Sequence, residues 1–468
     1  MSTLTSDDAV AVPRPTVEPP APWDFPPAGT HDLPNGLRLL TYDVPGQYVL
    51  SVRLGVPVPL DSEPRDREGV GTIMARTLDE GTEHHTAEEF QSLLERKGIG
   101  YGAGVSDSGL SIDLDVVKGT LEPALDLLRQ VLTEPAFPAV EVARHVRSRL
   151  AEIEHERSVG AARAMLAFVD TFYADDERIS RPTGGSAATV GAVTRDDVVA
   201  HHGAHVTASG STIVVAGDLD GLDVPALVEA ALGGWRSGPA RGRHVERTTR
   251  YAADRAHIVL VDRPGAVQSD FVVGAPGPDR SAPGGWAPYP ALAFVLGGSP
   301  TARVDAVLRE EKGYTYGARS VFRPRRGGGS FLTYGSVRAD VTAESVGLLV
   351  DILEGASGGF TDEEVRMGVD FISKTAPGRY ATADAIADEA VSMALDGRTT
   401  EFTTSNLHDL ATVTSERVDA AWARFASGAG IGTGSRGAGW TIVVVGDASA
   451  HAEQVEALGL GPVTVVRD

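Results

Sequence analysis

Gly69 to Thr82 reads GVGTIMARTLDEGT, and the interpretation of the whole chain turns on it. Val70, Ile73, Met74, Thr77 and Leu78 recur at helical spacing, and Gly81 stands where a left-handed residue ends a helix. A helix here buries that stripe and turns Thr72, Ala75 and Arg76 to the opposite face. Upstream, Gly36 to Tyr42 and Val49 to Val56 alternate as strands. Downstream, Thr86-x-x-Glu89 is a capping box for a helix with Phe90, Leu93 and Leu94 inward and Gly98 at its end. Ile99 to Val117 is strand-like, Leu121 to Leu132 helical, and Val140 to about Ser158 a longer amphipathic helix, before a closing strand at Thr212 to Ala216. Strands and helices mixed in this way predict an α+β domain.

The chain then repeats itself. Asp43-Val44-Pro45-Gly46 recurs as Asp262-Arg263-Pro264-Gly265, at an offset of 219. Val193 to Val198 recurs as Val413 to Val418 at 220, and Thr212-Ile213-Val214-Val215-Ala216-Gly217-Asp218 as Thr441 to Asp447 at 229. Three strings in register predict two homologous halves. The expected layout is an N-terminal flexible tail over 1–27, a first domain over 28–238, a linker over 239–252 and a second domain over 253–468.

Composition narrows the functions. A chain of 468 residues exceeds one ordinary core. A net charge of −22 argues against nucleic acid or an anionic membrane as partner and favours basic or neutral ligands. There is no cysteine, which excludes disulfides, thiolate metal sites and cysteine nucleophiles. The N-terminus lacks the basic start and apolar run of a signal peptide, and no stretch approaches the roughly 18 apolar residues of a membrane span, so a cytoplasmic protein is expected. The Arg-, Ala- and Gly-rich usage fits a GC-rich bacterial source.

Leu33-Pro34-Asn35-Gly36-Leu37 and the Gly69 to Thr82 segment resemble two signatures of the pitrilysin/insulinase metallopeptidase family, whose metal helix reads "GLAHFLEHMLFKGT" or close to it. The resemblance runs over nearly the whole chain after the tail. It implies two pitrilysin-like domains, each a mostly antiparallel sheet with helices packed on it, together forming half of a clam-shell chamber. It also places Thr72 and Arg76 where the H-x-x-E-H histidines stand, Ala75 at the general base, and the third ligand on or near Glu152. Such ligands stand one turn apart so that they and the base converge on one cavity. Threonine is a poor zinc ligand, alanine accepts no proton, a guanidinium opposes a divalent cation, and Glu152 alone cannot hold zinc. No metal is therefore expected in this chain.

Other histidines do not replace the set. His201 and His205 are four apart, but Gly203 between them predicts a helix end or loop; His84-His85 reads as a surface turn, and His155 has no second imidazole in reach.

The second half carries what the resemblance assigns to substrate. Ser299-Pro300 reads as a helix start, and Leu308 to Gly317, LREEKGYTYG, is similar to the family's LR-x-x-x-x-G-x-Y segment, whose Arg and Tyr contact substrate at the scissile bond. These fall on Arg309 and Tyr316, expected to stabilise a developing oxyanion. The alternative is that Arg309 pairs with Glu310 or Asp305 and that Tyr316 is a half-buried strand aromatic. Tyr101, Gly102, Ala103 and Gly104 align with the family's substrate-pairing edge strand, where small residues allow close approach; a weakened edge strand without ligand is the other reading. The chain is therefore expected to be the non-zinc-binding subunit of a heterodimeric metallo-endopeptidase acting on peptides. Zinc belongs to its H-x-x-E-H partner, and Arg309 and Tyr316 act in trans. A purely structural or peptide-binding scaffold is the alternative.

Overall fold

The computed structural model describes residues 18–238, 248–253 and 257–467. Strands β1 (Gly29–Asp32), β2 (Arg38–Asp43), β3 (Val49–Val56), β4 (Gly100–Val105), β5 (Leu110–Val117) and β6 (Thr212–Gly217) form one sheet in the order β1-β2-β6-β3-β5-β4. Strands β7 (Ile258–Asp262), β8 (Gln268–Gly277), β9 (Thr315–Arg325), β10 (Gly328–Arg338), β11 (Thr441–Gly446) and β12 (Val463–Val466) form a second, in the order β12-β7-β11-β8-β10-β9. The two orders superpose element by element except at one edge. There the first sheet uses its N-terminal strand, antiparallel to β2, and the second its C-terminal strand, parallel to β7. Both sheets are mostly antiparallel, and the duplication is visible in their topology.

Local chemistry explains the elements that position the site. The helix α1 (Val70–Thr77) starts at Gly69, whose φ of 97° suits glycine. The helix α2 (Ala87–Lys97) opens on the reciprocal Thr86/Glu89 capping box and ends at left-handed Gly98, as expected from the sequence. Ile99 to Val117 divides into the hairpin β4–β5. Ser299-Pro300 does not start a helix; the helical segment begins at Arg303, with Ala302 as its cap, and passes at Ala306 into a wide π turn to Glu311.

The halves exchange helices. Gly160–Phe172, from the first half of the sequence, lays Ala164, Phe168 and Phe172 on β8 and β11 of the second sheet. Ala383–Leu395, from the second half, lays Ile386, Ala387 and Ala390 on β3 and β6 of the first. Each buried Phe contributes roughly 1.5–3 kcal/mol, so the exchange joins the halves by core packing.

The expected tail is corrected in part. Residues 1–17 lie outside the described residues; of 18–27 most are exposed, but Trp23 and Phe25 anchor the segment. Phe25 is 4 % exposed, its N–H donates to Thr404 Oγ1 at 3.0 Å, and Trp23 stacks on Tyr380 with ring centroids 5.6 Å apart. Of the expected linker, 239–247 lie outside the described residues, while Tyr251 donates to the Gly329 carbonyl at 2.6 Å. No helix among the described residues is long and apolar enough to cross a membrane.

Candidate functional site

At the position the resemblance assigns to the metal, α1 lies against two helices, Ala139–Ser158 and Arg195–His205. Thr72 and Arg76 are half-buried, whereas Ala75 is 1 % exposed and part of the first core. The expectation that all three share an open face is thus corrected. Ala75 belongs with the buried stripe, and Thr72 and Arg76 keep partial exposure.

Arg76 reaches across to Glu152 on the Ala139–Ser158 helix. Its Nη1 donates to Oε1 at 2.7 Å and its Nη2 to Oε2 at 2.9 Å, a bidentate pair. Arg149 adds a bond from Nη1 to Glu152 Oε2 at 3.2 Å, while its own guanidinium also binds Glu156 and the Gly184 carbonyl. The Arg76 bonds hold the Glu152 carboxyl below the usual carboxylate range, against the opposing effect of burial. The carboxylate that would ligate a metal is saturated by two guanidinium groups. The donor set Thr72, Ala75, Arg76 and an Arg-bound Glu152 does not fit zinc. The ion pair ties together the two helices that a metal would bridge, and at its partial exposure it is worth at most about 1 kcal/mol.

The N-terminus of α1 is held by residues that no local pattern revealed. Glu63 is 2 % exposed and accepts the N–H of Gly69 at 3.2 Å and of Gly71 at 2.9 Å, placing its charge at the positive end of the helix. Arg178, 5 % exposed, donates to Glu63 Oε2 at 2.8 Å and to the carbonyls of Arg181, Pro182 and Thr183. Arg181 grips Glu68 in turn, at 2.7 Å. Glu63 and Arg178 are 115 positions apart, a separation that carries no periodic signal.

Of the two readings for His201 and His205, the helix end holds and the loop does not: both lie in the last turns of the Arg195–His205 helix, which continues through Gly203 and stops at His205, with rings 4.7 Å apart. Among the described residues no group of three or more His, Asp or Glu is arranged to hold a metal. The neighbouring His202 packs on Phe137 with ring centroids 5.3 Å apart. Burial and the nearby Arg236 lower its pKa to about 4, against a backbone hydrogen bond at Leu132 that raises it. The folded state therefore binds fewer protons here than the unfolded chain below pH 6.5, and this group costs nothing above that pH. Between pH 6.5 and 4 it should lower stability by up to about 1.4 kcal/mol per pH unit. Denaturant midpoints measured across that window should fall less steeply in His202→Asn; an unchanged slope would show that other groups set the acid limit.

In the second half, Arg309 lies in the π turn, its side chain 40 % exposed and its Nε 3.5 Å from Glu310 Oε1. Of the two carboxylates considered from sequence, Glu310 is thus beside it. Asp305 is instead buried and accepts the Ala318 N–H at 2.8 Å, fastening the helical segment to β9. Tyr316 is 96 % exposed, which removes the half-buried alternative. Its exposure has a local cause. Ala318 pairs with Gly335 and Thr315 with Val337, so Tyr316 and Gly317 together oppose Ser336 in a β-bulge. Thr315 Oγ1 accepts the Gly317 N–H at 3.0 Å, and Gly317 takes a φ of 151°. The bulge turns the phenol away from the sheet.

Tyr316 has a counterpart in the first half of the sequence. Glu95-Arg96-Lys97-Gly98-Ile99-Gly100-Tyr101-Gly102-Ala103 parallels Glu310-Glu311-Lys312-Gly313-Tyr314-Thr315-Tyr316-Gly317-Ala318. The shared Lys-Gly-x-x-Tyr-Gly-Ala would have shown it. Both tyrosines lie on edge strands, β4 and β9. Tyr101, in an unbulged register opposite Leu114, points inward instead, with its hydroxyl buried and without a hydrogen-bond partner among the described residues. Burial, with Asp79 and Asp113 nearby, pushes its pKa well up. Ala103 packs on the same core, while Gly102 and Gly104 face open space on the other side.

The profile described as "Insulinase (Peptidase family M16)" matches residues 40–176, and that described as "Peptidase M16 inactive domain" matches 192–370. An uncharacterised zinc protease of Mycobacterium leprae is 25 % identical over 349 residues, covering 72 % of this chain and 75 % of that protein. The crystal structure of a peptidase M16 inactive domain from Pseudomonas fluorescens superposes with a TM-score of 0.80 at 21 % identity, over 90 % of this chain and 98 % of that one. A protease from Helicobacter pylori does so with 0.76 at 14 %, over 90 % and 99 %. At these identities the two structures establish the fold. With two profiles of one family laid in order along the two halves, the chain belongs to the insulinase peptidases, family M16.

Proposed function

We propose that this chain is the non-zinc-binding subunit of a heterodimeric metallo-endopeptidase. It forms half of a closed chamber, and Arg309 and Tyr316 complete the site of a zinc-bearing H-x-x-E-H partner that cleaves peptides. The observation that carries the reading is Tyr316, held out by a bulge and 96 % exposed on the strand next to the turn that bears Arg309. Bulges commonly re-aim side chains at functional sites, and a phenol so exposed gains nothing for this chain's own core. Arg supplies a fixed cation and Tyr a second donor for the carbonyl oxygen as it becomes an oxyanion. The open glycine side of β4 offers room for a peptide backbone at the sheet edge.

The test is reconstitution. Purified alone, the chain should contain no stoichiometric zinc and cleave no peptide; mixed with an H-x-x-E-H family member encoded beside it, it should give a complex that cleaves. Zinc or cleavage in the isolated chain would sink the proposal, as would a partner equally active alone. A complex whose cleavage is indifferent to Arg309 and Tyr316 would favour the scaffold reading.

A further inference from the structure

Each sheet carries an exchanged helix on one face and ends in an edge strand, β4 or β9, and on that face the two ends carry opposite charge. Beside β4, on the Ala383–Leu395 side, Arg53 is surrounded by Asp113, Asp115 and Asp388 at 3.7, 3.0 and 2.7 Å, leaving carboxylate in excess. Beside β9, on the Gly160–Phe172 side, the same face presents Arg319, Val321 and Arg323, opposite Tyr334, Leu332 and Ser330. Arg323 lies over the Tyr334 ring at 5.8 Å and against Met165 of that helix, and no ion pair to it occurs among the described residues. Arg319 is 54 % exposed, with its only carboxylate among the described residues the buried Asp305 at 3.5 Å. This is a basic strip in a chain of net charge −22.

We infer that the open edge of β9 binds an extended acidic peptide segment as an added strand, with two carboxylates four residues apart and an apolar residue midway. The spacing follows from the strand. Side chains alternate, so residues of an added strand opposite Arg319, Val321 and Arg323 share their face, with the two arginines about 13 Å apart. Pro324 closes one end, because a proline offers no N–H to a new strand; the other closes at Ala318, before the Tyr316 bulge, where Asp305 takes the N–H and Arg319 Nη1 donates to the carbonyl at 3.1 Å. The usable edge is therefore short, and its register is set by the two guanidinium groups. The overall acidity, from which basic ligands are expected, is reversed at this edge.

The inference rests on the peptide-handling part of the proposed function and not on a zinc partner, so it is tested on the isolated full chain. Fluorescence anisotropy should compare a labelled peptide carrying two glutamates four apart around a valine with its lysine counterpart and with a scramble in which the glutamates are adjacent. The patterned acidic peptide should bind roughly tenfold tighter than either, the difference shrinking in high salt. Arg319→Glu/Arg323→Glu, both exposed and checked for fold by circular dichroism, should reverse the preference. Equal binding of the three peptides, no binding of any, or an unchanged preference in the double variant would overturn the inference. Because no cleavage is read, failure here leaves the reconstitution experiment unaffected.

Discussion

Arg178→Ala should cost about 3–5 kcal/mol of stability, the expected loss when one member of a buried ion pair is removed and its partner remains charged. The guanidinium and the Glu63 carboxylate are 5 % and 2 % exposed, so water cannot replace the missing partner. Three backbone carbonyls, of Arg181, Pro182 and Thr183, lose their donors as well. The damage reaches α1, because Glu63 also accepts the N–H groups of Gly69 and Gly71 and must keep its charge to do so well. Arg178→Lys should recover only part of the loss, since one ammonium cannot span Glu63 and three carbonyls. Guanidinium unfolding followed by far-UV circular dichroism measures the effect. A loss below about 1 kcal/mol would mean that the pair is solvated or replaced in solution.

The helix α1 is fastened at both ends by ion pairs. In a zinc-binding relative, ligation would fasten α1 to the long helix that follows. Here Glu63 and Arg178 anchor one end of α1, and the Arg76–Glu152 pair links its other end to the Ala139–Ser158 helix. Arg76 thus sets a fixed positive charge against Glu152, between the same two helices.

Much of this was legible in the sequence, for reasons that are local. The Thr86/Glu89 box and Gly98 bracket α2 because capping is satisfied within a few residues. The repeated strings identified the duplication because both copies of β6 and its equivalent β11 remain fully buried and apolar. What escaped was set by contacts distant in sequence. The Gly160–Phe172 and Ala383–Leu395 helices show apolar stripes, yet nothing local says that each covers the other half's sheet. Phe25 looks like part of a Pro-rich tail until Tyr42 and Tyr380 are beside it. Helical spacing alone leaves Ala75 on the face of Thr72 and Arg76, whereas the core packed around α1 buries it. Tyr101 and Tyr316 share a motif and differ in fate because one strand carries a bulge and the other does not.

In the reconstituted complex, Arg309→Ala or Tyr316→Phe should each lower kcat/KM by about 10² to 10³, the loss seen when one preorganised donor to an oxyanion is removed. Both side chains are on the surface, 40 % exposed for Arg309 and 96 % for Tyr316, so neither substitution should unfold the chain. Tyr316→Phe is the more discriminating, since it keeps the ring and its contact area and deletes only the hydroxyl. If the phenol stabilises charge that develops during reaction, the loss falls on kcat with KM little changed; if it only packs against peptide or partner, Phe behaves as Tyr. For Arg309 the Glu310 carboxylate at 3.5 Å must be displaced on binding, a small cost for an exposed pair. Arg338→Ala, which removes another exposed arginine paired with Asp340, is the control and should leave cleavage unchanged. Complex formation by size exclusion separates the remaining cases: full assembly with lost turnover places the two residues in the chemistry, whereas full assembly with full turnover in both variants would reduce this chain to a scaffold around its partner's zinc.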